Sequence, residues 1–234
     1  MTTPRTDIVI PFRSNRQFPT EPFIERCVDT LVQYTQNFRL IFVDDNSDQI
    51  GREFIQKIAD RFTESTLVRT NKQKWFTRAV NIGLRLVKTE WAVEVNSDCE
   101  FGEGWLEELY AVRDELTSMG GKVGLVGSVY NAGETRRYFC TTPTRFVTGH
   151  CWLLNMKALK ETAERRGTSN DYLDETSPKN IHIFSDNQLC YDLNGLGYVT
   201  AEAYKSGVGH IAGKSWGHLL GSIPQSCEQV DYHY

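Results

Sequence analysis

The sequence predicts an α/β protein: a mostly parallel sheet flanked by helices, followed by a smaller part of mixed or antiparallel strands. Three observations predict it. The apolar run Leu40-Ile41-Phe42-Val43 halts on Asp44-Asp45-Asn46-Ser47, the pattern of a strand buried on both faces that carries two carboxylates just past its end. Trp91-Ala92-Val93-Glu94-Val95 stops in the same way on Asn96-Ser97-Asp98-Cys99-Glu100. Strands and amphipathic helices alternate through residues 1–100, and right-handed crossovers turn that alternation into a parallel sheet. Ligands of such sheets gather beyond the carboxyl ends of the strands. Two acid-tipped strands therefore point to a site for a nucleotide and a divalent cation.

Each element has its own signal. Asp7-Ile8-Val9-Ile10-Pro11 reads as a strand that Pro11 ends. Phe23, Cys27, Val28, Leu31 and Val32 recur at helical spacing, with Pro22 in a first turn. After the strand at Leu40, Ile50, Phe54, Ile58 and Phe62 form a helical stripe that Ser47 or Asp48 can cap. Thr66 to Arg69 is a short strand, Phe76 to Val87 a helix, and Trp91 to Val95 the next strand. Trp105, Leu109, Val112 and Leu116 predict a helix, and Val123 to Gly127 a strand. Arg137 to Thr148 reads as an antiparallel piece, Met156 to Arg166 as a helix, and the polar stretch Gly167 to Lys179 as a mobile loop. No internal repeat or low-complexity linker interrupts the 234 residues. One domain is expected, residues 1–100 forming one half and 101–234 the other.

Composition narrows the class. A hydrophobic content of 40% with 12% aromatics supports a packed core. A formal charge of −4 without long single-sign runs argues against a protein that grips nucleic acid by electrostatics alone. Cys27, Cys99, Cys140, Cys151, Cys190 and Cys227 include no Cys-x-x-Cys pair, the pattern of reduced, mostly buried thiols. No apolar stretch approaches the ~20 residues of a transmembrane helix, and Met1 to Arg5 lacks a signal peptide's apolar core. A cytoplasmic location follows as an expectation.

Several segments together resemble a known family. Asp7 to Pro11, Val43 to Ser47, Asn71 with Ala79 to Gly83, Val95 to Asp98, Val147 to Leu154, Ser185 to Cys190, Gly197-Tyr198 and Val208 to His210 stand in the order of blocks in the family 2 glycosyltransferases of GT-A fold. The resemblance covers nearly the whole chain. It implies an inverting, metal-dependent transferase that moves a sugar from a nucleotide-sugar donor, a UDP-sugar in the first instance, to an acceptor hydroxyl. Residues 1–100 would bind the nucleotide sugar, and residues 101–234 the acceptor. Glycans, lipid-linked saccharides, proteins and modified nucleic-acid bases all fit as acceptors, and a homo-oligomer is compatible with the family.

The resemblance also assigns roles by position. A diphosphate leaving group gains charge as the glycosidic bond breaks, and Mn²⁺ or Mg²⁺ is suited to stabilise it. Asp98 matches the last carboxylate of the family's acidic motif, and His210 the histidine that often completes the metal shell, with His218 as competitor. The usual first aspartate of that motif is Asn96 here, which can still bond ribose or phosphate, and Glu100 is a candidate outer acid. Asp44 and Asp45 would meet base and ribose. Pro11, Phe12, Arg13, Asn71, Lys74, Arg78, Asn96 and Ser97 would line the nucleotide-sugar cleft. Asp186 matches the segment that supplies the general base, although Ser185 and Gln188 replace the acids usual on either side.

Plainer tasks compete for these side chains. An aspartate at a strand end often caps the next helix, which applies to Asp45, Asp98 and Asp186. Lys74 and Arg78 also suit a solvated helix face. Trp75, Trp152 and Trp216 suit packing as well as sugar stacking. His150 is placed near the acceptor, whereas His182 and His233 carry no signal. A nucleotidyltransferase is disfavoured because Pro11-Phe12-Arg13-Ser14-Asn15 stands where a glycine-rich phosphate loop would. The thinned acidic motifs keep a non-catalytic sugar-nucleotide-binding module as the other alternative.

Overall fold

The structure, a computed structural model, describes residues 3–129, 137–140, 146–176 and 185–210. The chain opens with β1 (Thr6–Phe12), α1 (Glu21–Tyr34), β2 (Phe38–Asp44), α2 (Gln49–Ala59), β3 (Ser65–Arg69), α3 (Phe76–Leu84) and β4 (Trp91–Val95). It continues with β5 (Cys99–Phe101), α4 (Trp105–Ser118), β6 (Val123–Ser128), β7 (Tyr138–Cys140), β8 (Cys151–Asn155), α5 (Met156–Arg165), α6 (Ser185–Gly195), β9 (Val199–Ala203) and β10 (Val208–His210). Eight strands form one sheet in the order β3-β2-β1-β4-β8-β6-β9-β7. Strands β3, β2, β1 and β4 are parallel, and β6 pairs parallel with β9. Antiparallel β8 stitches β4 to β6, so the two halves of the chain share one sheet. β5 and β10 form a small antiparallel pair of their own.

Alternation along the strands builds two apolar layers. Ile8, Ile10, Leu40, Phe42, Val93 and Val95 pack against Ile24, Val28, Ile55, Leu106 and Leu109, from α1, α2 and α4. Val9, Ile41, Leu125, Trp152 and Leu154 face the other way, against Val80, Leu84, Leu159, Leu189 and Leu193, from α3, α5 and α6. Helix α3 lies so close to the sheet that a Cβ on Gly83 would sit 2.3 Å from Val9 Cγ1. Asp48 caps α2 by accepting from Gly51 N–H at 3.1 Å.

Three expectations change. Strand β1 runs through Pro11 to Phe12. Phe12 O accepts Asp45 N–H on the β2 side, so alternation turns Pro11 toward β4, whose pairing with β1 stops at Val9; no donor is missed there. The loop expected to be mobile is tied down over its described part, residues 167–176. Asn81 donates to Leu173 O and accepts Leu173 N–H, and Arg166 and Arg85 hold the carbonyls of Tyr172 and Asn170. The piece expected from Arg137 to Thr148 contributes Tyr138–Cys140, antiparallel to β9, and residues 141–145 lie outside the described part. The short strands β5, β8, β9 and β10 had no periodic signal of their own.

Candidate active site

Strand direction decides which residues can meet. The carboxyl ends of β1, β2, β3 and β4 share one edge, and antiparallel β8 brings its amino end there, with Val95 opposite Cys151. β6 runs antiparallel to β8, so Ser128 reaches the same edge. Arg13, Asp44, Asp45, Asn96, Asp98, Gly149 and His150 are thereby gathered from segments far apart in sequence.

At the end of β2, the two aspartates divide the work. Buried Asp44 accepts Ser47 N–H at 2.9 Å and faces Arg69 Nε at 3.5 Å, which closes the turn after β2. Asp45 organises the segment between β3 and α3. Its carboxylate accepts Thr70 Oγ1 at 3.1 Å, Lys74 N–H at 2.6 Å and Trp75 N–H at 2.8 Å. Burial raises its pKa, and these bonds with the nearby Arg13 charge oppose the rise. Trp75 is held at φ 69°, ψ 170°, a conformation that side-chain-bearing residues rarely adopt. Lys74 is half-buried and Asn71 exposed beside it.

The cations of this region are not equivalent. Arg78 is engaged, its Nε 3.0 Å from Glu175 Oε2. Arg13, half-buried after Pro11 and buried Phe12, has Nε and Nη1 shielded from solvent with no hydrogen-bond partner among the described residues. A buried guanidinium edge without an acceptor is costly, and an anionic or carbonyl-bearing ligand would relieve it.

Asp98 and His210 come together across 112 residues of sequence, with Asp98 Oδ1 2.7 Å from His210 Nε2 and both side chains buried. The approach is short, yet it is not aligned as a hydrogen bond, and Asp98 Oδ1 has no such partner among the described residues. Asn96 Nδ2 lies 3.4 Å from the same His210 nitrogen and donates to Gly149 O at 3.3 Å. Cys27 and Cys99 back the turn, their thiols donating to Asn96 O and His150 O at 3.7 and 3.1 Å. Burial pushes both thiol pKa values upward, so these groups stay neutral. A carboxylate oxygen facing an imidazole nitrogen is a donor set that fits Mn²⁺ or Mg²⁺. No cluster of three or more His, Cys, Asp or Glu side chains suited to a metal occurs among the described residues. Two protein ligands with phosphate oxygens and water making up the shell is the usual arrangement for such hard cations. Ser97 is buried between Asn96 and Asp98, half-buried Glu100 pairs with Arg26, and His218 lies outside the described residues.

Asp186 occupies the first turn of α6 and presses on the same corner. Its Oδ1 accepts Asn187 N–H at 2.8 Å, and Gly149 N–H also bonds the carboxylate. Gly149 thus links the Asn96 turn to Asp186, because its carbonyl accepts from Asn96 and its backbone lies against the Asp186 side chain. A Cβ there would meet Trp152 at 2.9 Å and Asp186 Cβ at 3.3 Å, so only glycine allows this approach. Burial pushes the Asp186 pKa up to about 6, against the pull of its backbone donors. Trp152 is fully buried with Nε1 donating to Thr148 O at 2.9 Å, a packing task. Trp216, His182 and His233 lie outside the described residues.

Sequence reasoning missed the partners that arrive by folding. Thr70, Glu175 and Ser128 were not singled out, and His150 was linked only to the acceptor. Ser128 had a readable signal, since Val126-Gly127-Ser128 is a further apolar run stopping on a polar residue.

The fold and this edge define an α/β architecture of the GT-A type. Residues 7–163 match the model of glycosyl transferase family 2, and the chain belongs to that family. It is 24% identical over 151 residues to glycosyltransferase GlyG of Streptococcus pneumoniae serotype 4, a match covering 64% of this chain and 47% of that protein. The chain therefore spans about half the length of this curated relative. Among solved structures it resembles the mannosyltransferase PcManGT of Pyrobaculum calidifontis, in complex with GDP-Man and Mn²⁺. That likeness has a TM-score of 0.67 and 16% identity, covering 92% of this chain and 59% of that one. It also resembles GalNAc-T7 with UDP, GalNAc and Mn²⁺, with a TM-score of 0.64 and 13% identity, covering 88% of this chain and 43% of that one. No helix among the described residues is long and apolar enough to cross a membrane.

Proposed function

We propose that this chain is an inverting glycosyltransferase domain that moves a sugar from a nucleotide-sugar donor to an acceptor hydroxyl. The carrying observation is that Asp98, His210 and Asn96 meet at one sheet edge, where Gly149 links Asn96 to Asp186. The Arg13 guanidinium edge and the segment organised by Asp45 form the donor side, next to half-buried Lys74. UDP-sugars are the first donors to try and GDP-sugars the second, because both nucleotides accompany the structural relatives. Asp98 and His210 hold Mn²⁺ or Mg²⁺, which supplies positive charge to the departing diphosphate.

Asp186 is the general base. As the acceptor hydroxyl oxygen forms its bond to the anomeric carbon, the hydroxyl proton passes to the Asp186 carboxylate. The bond from that carbon to the diphosphate oxygen breaks on the opposite face, its electron pair leaves with the nucleoside diphosphate, and configuration inverts. The described cysteines are free, in keeping with a reducing, cytoplasmic setting.

The test is release of nucleoside diphosphate from a panel of nucleotide sugars with Mn²⁺, with and without chelator, on wild type and Asp186→Asn. Turnover should need the metal. In Asp186→Asn it should fall by about 10²–10⁴-fold, with nucleotide affinity retained. Product carrying the donor's own anomeric configuration would reject the inverting mechanism.

A further inference from the structure

We propose that His150, held by Ser128, is a positioning residue for the metal pair: its imidazole is the wall that keeps the His210 ring turned toward Asp98. The inference rests on the reading of Asp98 and His210 as metal ligands and deepens it.

Three observations carry it. The His150 and His210 rings pack with centroids 5.8 Å apart and planes tilted by 41°. His150 is itself immobilised, only 1% exposed, with Nε2 2.8 Å from Ser128 Oγ at the end of β6. Its backbone is part of the acid turn, because His150 O accepts Asn96 N–H at 2.9 Å. One residue therefore touches both members of the pair: the turn that leads to Asp98 and the His210 ring.

The need for such a wall follows from where His210 stands. It is the last residue of β10, a three-residue strand paired only with β5 among the described residues. A three-residue strand with one described pairing partner defines its side-chain direction poorly. Asn96 in place of a first carboxylate leaves Asp98 as the one acid of its motif, so affinity depends more heavily on preorganised ligands.

The experiment titrates Mn²⁺ alone into metal-free protein and follows loss of the free-ion electron paramagnetic resonance signal. Wild type is compared with Ser128→Ala, His150→Ala, His150→Phe and His210→Ala, with the unfolding midpoint of each metal-free protein measured alongside. Ser128→Ala and His150→Ala should bind Mn²⁺ about 10–100-fold more weakly. His150→Phe, which restores a planar ring against His210, should recover most of that loss; a merely structural role would tie affinity to the unfolding midpoint instead. Should His150→Ala fail to fold, Ser128→Ala carries the comparison. Wild-type affinity in Ser128→Ala and His150→Ala, with binding lost in His210→Ala, would overturn the role of His150 and leave the metal pair standing. Absence of Mn²⁺ binding by wild type would overturn the metal pair, and the positioning role with it.

Discussion

Asp186 is half-buried and Glu94 fully buried, and burial raises the pKa of both. Asp186 has backbone donors, and its pKa rises from 3.8 to about 6. As the proposed base it must be ionised, so kcat/KM should fall about tenfold per pH unit below about 6 and level off above it. A profile still flat at pH 5 would take Asp186 out of the proton transfer. The same shift has a stability sign. Between 3.8 and about 6 the native state binds more protons at this site than the unfolded chain does, so its contribution declines as pH rises through that window. Glu94 on β4 is fully buried between Val9 and Trp152 of the flanking strands, and neither oxygen has a partner among the described residues. Burial lifts its pKa well above 4.5, so stability should drop as pH climbs past that value. Glu94→Met should remove this pH dependence and stabilise the protein by about 1–3 kcal/mol at pH 7, read from urea unfolding at pH 5 and pH 7. At this scale the sequence showed which acids end strands. It could not show that Asp45 would be occupied by the backbone at Lys74 and Trp75, or that Arg78 would meet Glu175, because those partners are set by loop paths.

Among elements, legibility followed hydrophobic period. Strand β4 falls where its apolar run predicts, Trp91–Val95, and α3 starts at the expected Phe76. Both carry side chains whose hydrophobic period is fixed by a layer of core. β8 is just as buried, but its run Cys-Trp-Leu-Leu-Asn is continuous and has no period to separate strand from packed helix. β5 and β10 are three residues each and exist through their pairing with one another, so His210 was placed by motif alone. The contact of α3 with β1 offers a test of close packing. Gly83→Ala gains up to about 1 kcal/mol in helix propensity. Its Cβ, however, would stand 2.3 Å from Val9 Cγ1 and 3.1 Å from Val43 Cγ2, an overpacking that costs about 1–3 kcal/mol. The clash should win, lowering the urea midpoint, and it should tilt α3 enough to weaken the hold of Asn81 on Leu173. A midpoint at or above wild type would mean that helix and sheet separate more easily than their packing implies.

For the molecule as a whole, the sheet order ties the two halves of the chain into one body. β8 bonds to β4 on one side and β6 on the other, and the proposed metal pair takes Asp98 from the end of the first half and His210 from the second. Neither half can therefore lose its fold without dissolving the site, and heat should unfold residues 1–234 in one cooperative transition. Ligands that bridge the halves should raise that transition as a unit. Mn²⁺ with the matching nucleoside diphosphate at about a hundredfold excess over Kd adds ~2.7 kcal/mol to the native state. For a chain of this size that is a rise in Tm of about 5–10 °C. Mn²⁺ or nucleotide alone should give less, because each leaves the other's contacts unmade. His210→Ala should abolish the synergy between the two while leaving the nucleotide-only shift, since the donor side around Arg13 and Asp45 lies on the other strands. Two separate transitions, or a full shift with nucleotide in the absence of metal, would show that donor binding is confined to the first half and that the shared edge plays no part in it.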